Sequence, residues 1–145
     1  MAREIAAGIE IAASAAKVWS ILVDLPAYAA WNPFIVWAKG DPVAGSRLSI
    51  RAQPPGGAAL RFRPLVLSAE PGRELRWRGQ FILPGLFDGE HAFRIEPNAA
   101  GVRFVQTERF SGLLVGVTPA SLFERIQQGF EAMNRALRQR AEARH

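Results

Sequence analysis

Two histidines occur in the chain, His91 and the terminal His145, and there is no cysteine. Thiolate chemistry and disulfides are therefore excluded, and a multi-histidine metal site is not expected. No GxSxG element, Gly-rich phosphate loop or HExxH motif is present. Any acid–base chemistry must use His91 or carboxylates. In an extended segment His91 shares the side of Phe87, Phe93 and Ile95, which are apolar. Downstream, Val102, Phe104, Gln106 and Glu108 fall on one side by the same count. A hairpin turning at PNAAG (97–101) would set His91 opposite either Gln106 or Glu108, with Cβ atoms roughly 5 Å apart. A carboxylate buried there needs a partner, either a protonated imidazole or a neutral hydrogen-bonded neighbour. Such a cluster could orient the polar end of a ligand or shuttle a proton, with His91 and Glu108 as catalytic candidates. The alternatives without function are a satisfied pair in a cavity wall, or a Glu108 that reaches solvent at the strand end.

The elements that would position these groups follow from hydrophobic period. Residues 4–11 alternate loosely and predict a first strand. Ser14 is placed to cap a short helix through Val18, Trp19, Ile21 and Leu22. Asp24 is placed to cap a second one that carries Tyr28 and Trp31, with Pro26 in its first turn and Pro33 as its stop. From 34 to 111 the period becomes two, predicting strands over 34–39, 46–53, 59–69, 73–82, 86–96 and 102–111. One set of positions is apolar (Leu48, Ile50, Leu60, Phe62, Leu75, Trp77, Phe81, Phe93, Phe104), and the interleaved set is mostly Arg and Glu. That pattern describes an antiparallel sheet with one dry and one wet face. At Pro64 the apolar phase shifts to Leu65 and Leu67, as a bulge or an edge position would require. From Thr118, a candidate cap, to about Glu142, the spacing of Leu122, Ile126, Phe130, Met133 and Leu137 predicts a helix about 36 Å long. Strands followed by one long helix indicate an α+β domain.

Several stretches resemble the START / Bet v 1-like (SRPBCC) superfamily, and within it the polyketide cyclase/dehydrase-like group. They are IEIAASAAKVWSILVDLPAYAAWNPFI at 9–35, GLFDGEHAFRIEP at 85–97, VRFVQTERFSGLL at 102–114 and GFEAMNRAL at 129–137. The resemblance spans nearly the whole chain and implies one domain over 1–145 with the helix-grip fold. That fold is a curved antiparallel sheet of about seven strands around a long C-terminal helix, with two short helices after the first strand. It also implies an internal cavity for a hydrophobic small molecule such as a lipid, polyketide or aromatic compound, held by a carrier or sensor. The rival it implies is a cofactor-independent cyclase or dehydratase, and a third is an interaction protein of the chaperone-activator or ribosome-associated kind. The paired histidine ligands of the Rieske-linked oxygenases that share the fold are missing.

The expected pocket wall is Trp31, Phe62, Trp77, His91, Phe93, Phe104, Gln106, Glu108, Phe130 and Met133, with Trp31, Asn32 and Phe34 gating the entrance or, alternatively, Trp31 plugging the barrel end. The loops at 83–89 and 111–117 expose apolar residues that suit a lid, a dimer contact or a membrane-touching rim. No cofactor and no metal are expected. The 145 residues carry sixteen Arg, two Lys and thirteen acids, a net charge of +5. Nucleic-acid binding is not expected, because the arginines are interleaved with Glu and no aromatic platform is evident on their face. Glu4 and Glu10 interrupt what would be a leader's apolar core, and no stretch reaches the apolar length of a membrane span, so a cytoplasmic monomer or homodimer is the expectation.

Overall fold

Period-two patterning between 34 and 111 builds two antiparallel sheets rather than one. The computed structural model describes residues 2–81 and 83–143; His145, and Ile82 at the end of the strand expected over 73–82, lie outside the described residues. Strands β1 (Ala2–Ile11), β5 (Leu65–Glu70), β6 (Glu74–Gln80), β7 (Asp88–Asn98) and β8 (Gly101–Ser111) form a five-stranded sheet in the order β1-β8-β7-β6-β5. Strands β2 (Ile35–Lys39), β3 (Ser49–Ala52) and β4 (Leu60–Phe62) form a three-stranded sheet in sequence order. Residues 45–48 stitch the two along the start of β5, through Gly45 N–H to Val66 O, Val66 N–H to Ser46 O and Leu48 N–H to Pro64 O, at 2.8–3.0 Å. Helices α1 (Ala15–Leu22), α2 (Tyr28–Trp31) and α3 (Ala120–Glu142) complete the helix-grip fold.

The strand expected over 59–69 is divided. Pro64 lacks an N–H for the ladder, and the chain leaves one sheet there and joins the other as β5. A bulge at Leu67 follows, so Val66, rather than Leu65 or Leu67, is the residue buried in β5. A second bulge, between Ile35 and Trp37, makes Val36 an extra residue in β2. Unbulged alternation from buried Ile35 would bury Trp37 and expose Ala38; instead Ala38 is buried and Trp37 stands in solvent.

Helix α3 buries Phe123, Ile126, Phe130, Met133, Leu137 and Ala141, a three- and four-residue stripe that begins at Phe123 rather than Leu122. At 1.5 Å per residue it is about 35 Å long and reaches along the inner side of the grip. It is tied to β1 and the residue that follows it: Gln127 Nε2 donates to Ala6 O at 2.7 Å, and Ala12 N–H to Glu142 Oε2 at 2.8 Å. Mid-helix Gly129 is explained by packing, since a Cβ there would overlap the Phe34 ring. Ser14 caps α1 as expected, accepting from Lys17 N–H at 3.1 Å. Thr118 and Asp24 do not cap. The Thr118 hydroxyl donates back to Leu114 O at 2.7 Å, and the segment after Asp24 splits into a 3-10 turn (Leu25–Ala27) and the single turn of α2. Among the described residues no helix is long and apolar enough to cross a membrane.

Candidate ligand-binding and acid–base site

The β7–β8 hairpin sets the register of the site. Its tip is only two residues, Ala99 and Ala100, so Asn98 pairs with Gly101 and the count up the strands places Glu108 opposite His91 and Gln106 opposite Phe93. Trp77 lies opposite His91 on the other side, in β6. All of these side chains point inward: His91 is 3% exposed, Gln106 0% and Glu108 8%. The imidazole is walled by aromatic rings, with Phe93 at 4.2 Å, Phe130 at 4.7 Å and Trp77 at 5.5 Å between centroids.

A hydrogen-bond chain fixes how His91 presents its nitrogens. Gln106 Nε2 donates to Asn134 Oδ1 at 2.8 Å and to the Phe130 carbonyl at 3.4 Å. A carbonyl only accepts, so the Gln106 amide must face α3 with its nitrogen, which turns Oε1 toward His91 Nε2 at 3.0 Å. His91 Nε2 therefore carries a hydrogen, and Nδ1 is left to face Glu108 Oε1 at 3.4 Å. One proton can be held between Nδ1 and the carboxyl. On the imidazole such a proton makes an ion pair, and on Glu108 a neutral contact. Gly89 faces Gly79 across β6–β7, and a Cβ at Gly89 would overlap the Glu108 carboxylate. The glycine pair clears the floor on which Glu108, Phe62 and Phe81 lie.

The void at this site is small. Phe34, Leu60, Phe62, Trp77, Phe81, His91, Glu108 and Ile126 border an interior space of about 30 Å³, room for one water and not for a ligand. The expectation of an open chamber is corrected here, because aromatic side chains fill it. Phe62 packs on Phe81 at 4.9 Å and Phe81 on Phe87 at 5.8 Å, which plugs the gap between β4 and the β6–β7 end. No backbone hydrogen bond among the described residues joins those two edges.

The expected wall residues thus separate into groups. Phe62, Trp77, His91 and Glu108 meet at the void. Phe93, Phe104, Phe130 and Met133 are fully buried and fill the core beyond it, with Gln106 behind His91. Trp31 does not border the void; its ring packs edge-on against Tyr28 at 5.3 Å, and its indole N–H is buried without a partner. Asn32 instead shapes the local turn, its Oδ1 accepting from the N–H groups of Phe34 and Ile35 at 3.0 and 2.9 Å. Phe34, expected at the entrance, borders the void, and Phe81 and Asn134 belong to the site without having been expected there. A polar Asn134 four residues from Phe130 on an otherwise apolar helix stripe is the signal that would have found it.

Similarity to solved structures agrees with this architecture. The aromatase/cyclase Zhui from Streptomyces sp. R1128 aligns with a TM-score of 0.79 at 19% identity, over 98% of this chain and 94% of that one. A START superfamily protein from Mycobacterium smegmatis aligns at 0.72 and 23% identity, over 96% and 97%. The di-domain aromatase/cyclase StfQ of the steffimycin biosynthetic pathway aligns at 0.77 and 12% identity, and the chain spans about half of it (51%). No curated protein matches in sequence. The profile of the family described as polyketide cyclase / dehydrase and lipid transport matches residues 2–142, and the chain belongs to that family.

Proposed function

We propose that the protein binds a small, mostly apolar molecule with one hydrogen-bonding end, admitted where Phe62 and Phe81 now close the interior. The observation that carries this reading is the His91–Glu108 pair, buried yet facing an interior void that it shares with aromatic rings. Buried ionisable groups are costly in a core that has no use for them. Swinging two half-buried phenylalanine rings outward breaks no strand pairing. A guest burying about 300 Å² of apolar surface would gain roughly 7 kcal/mol before association costs, which is compatible with micromolar binding.

The test uses naphthalene and 2-naphthol, which differ by one hydroxyl, with binding followed by tryptophan quenching. The wild type should bind both saturably and prefer 2-naphthol by about tenfold, the scale of a hydrogen bond to an ionisable group. Glu108→Gln and His91→Leu should erase that preference, and Phe62→Ala should tighten both guests. Absence of saturable binding, or a preference that survives both polar-site substitutions, would sink the reading.

A cofactor-independent cyclase or dehydratase is the second reading, favoured by the Gln106 bond to Nε2, which leaves Nδ1 facing the Glu108 carboxyl at 3.4 Å. The pair would take a proton from the carbon next to a ketone and return it to a hydroxyl leaving as water. α-Hydrogen exchange of 2-tetralone in heavy water reports the first half of that step. Acceleration by the wild type that is lost in Glu108→Gln supports the enzyme, and no acceleration confines the site to binding.

A further inference from the structure

Outward arginines are treated differently by the two sheets. On the five-stranded sheet Arg78 lies opposite Glu90, Arg94 opposite Glu74, Arg103 opposite Glu10 and Glu96, and Arg109 opposite Glu4 and Glu90. Arg76 bonds Glu74 at 3.0 Å and Glu90 at 2.7 Å. On the three-stranded sheet the row reads Trp37 opposite Arg51, and Arg51 opposite Arg61, with Arg63 two residues farther along the same side. Like charges directly opposite one another destabilise a sheet. Among the described residues none of Arg51, Arg61 and Arg63 makes an ion pair.

This arrangement has the parts of a binding platform. Trp37 is 46% exposed, placed outward by the β2 bulge. With the three arginines, Ser49, Gln53 and the apolar Val36, Ile50 and Phe62 it lines an open groove of about 940 Å³ that has no carboxylate in its lining. The absence of an aromatic platform, on which nucleic-acid binding was set aside, does not hold for this sheet. We infer that the groove binds a short stretch of single-stranded nucleic acid, one base stacking on Trp37 and the flanking phosphates lying along Arg51, Arg61 and Arg63. An exposed ring beside a row of guanidinium groups is the combination that single strands use, whichever the base. A lipid surface is disfavoured because the exposed aliphatic side chains Leu83, Leu113 and Val117 are outside the groove lining. An acidic peptide would leave the ring without a stacking partner. The inference does not rest on the interior site, although Phe62 borders both the groove and the void.

Fluorescence anisotropy of a labelled ten-nucleotide oligothymidylate tests it on the intact chain. Binding should be saturable at 50 mM salt, with a log–log salt slope of about −2 for three phosphates at roughly 0.7 each. Arg51→Gln with Arg61→Gln should reduce the slope by about 1.4. Trp37→Ala should weaken binding about tenfold with the slope unchanged. Circular dichroism confirms that these surface variants are folded. Equal losses from Arg78→Gln with Arg109→Gln on the other sheet would overturn the inference, as would no binding at 0.1 mM protein, equal affinity for duplex, or displacement by phosphatidylglycerol vesicles at matched phosphate.

Discussion

The five-stranded and three-stranded sheets differ in how charge is arranged on their outer faces and in how fully their strands are buried within. Inside, β6, β7 and β8 pack Leu75, Trp77, Phe93 and Phe104 to 0–1% exposure, whereas β4 offers half-buried Leu60 and Phe62 to a void. Outside, the larger sheet sets Arg against Glu across β1, β8, β7 and β6, with Glu70 opposite Glu74 at its β5 edge, whereas the smaller sheet sets Arg51 against Arg61. The division runs between strands whose outer charges are mostly paired and a β4 edge and outer face that are less committed, while the His91–Glu108 pair belongs to the larger sheet.

The largest effect that tests this division is in the core. Phe93→Ala should cost about 3–5 kcal/mol in urea or thermal unfolding, the range for a buried aromatic side chain. Phe62→Ala should cost only about 1 kcal/mol, because the ring is half-exposed and already borders empty space. Equal costs would break the contrast.

Next comes Glu74. Burial pushes its carboxyl up, but hydrogen bonds from Arg76, Arg94 and Ser68 and the Arg76 charge outweigh that and hold it below its ordinary value. Glu74→Gln should destabilise by about 1 kcal/mol at neutral pH. A depressed folded-state carboxyl contributes stability above its unfolded value, near pH 4.3, and loses it as pH falls through the folded one. The gap between wild type and Glu74→Gln melting temperatures should therefore close in acid. A gap that stays constant to pH 2 would show that the pairing contributes nothing.

The smallest effect has the opposite sign. Arg51→Glu converts a like-charge pair into an opposite-charge one and should stabilise by about 0.2–1 kcal/mol while abolishing binding in the groove. Loss of stability would mean that the Arg51–Arg61 pair is not a strain on the sheet.

Much of this was legible in sequence, and its limits have physical causes. Alternation and the helical stripe specify the elements because burial dictates them locally. His91 pointing inward follows from the same parity. Its partner does not, since choosing between Gln106 and Glu108 needs the turn length, and a two-residue tip decided for Glu108. Asn134 reaches Gln106 only once α3 docks on the sheet, a contact 28 residues apart in sequence. Pro64 announced a break, but whether the chain bends, bulges or changes sheets is settled by pairing partners elsewhere. The filled interior depends on the rotamers of Phe62 and Phe81, which no periodicity records.

The extra residue in β2 makes that strand tolerant of a change in its own length. Ile35, Trp37 and Ala38 already face three consecutive partners on β3, so a chain without Val36 would run in plain alternation and keep Trp37 in water and Ala38 in the core. A three-nucleotide loss at that codon would erase the bulge and leave the platform. Relatives one residue shorter between Asn32 and Gly40, whose φ of 127° follows the end of the strand, would then still carry the groove.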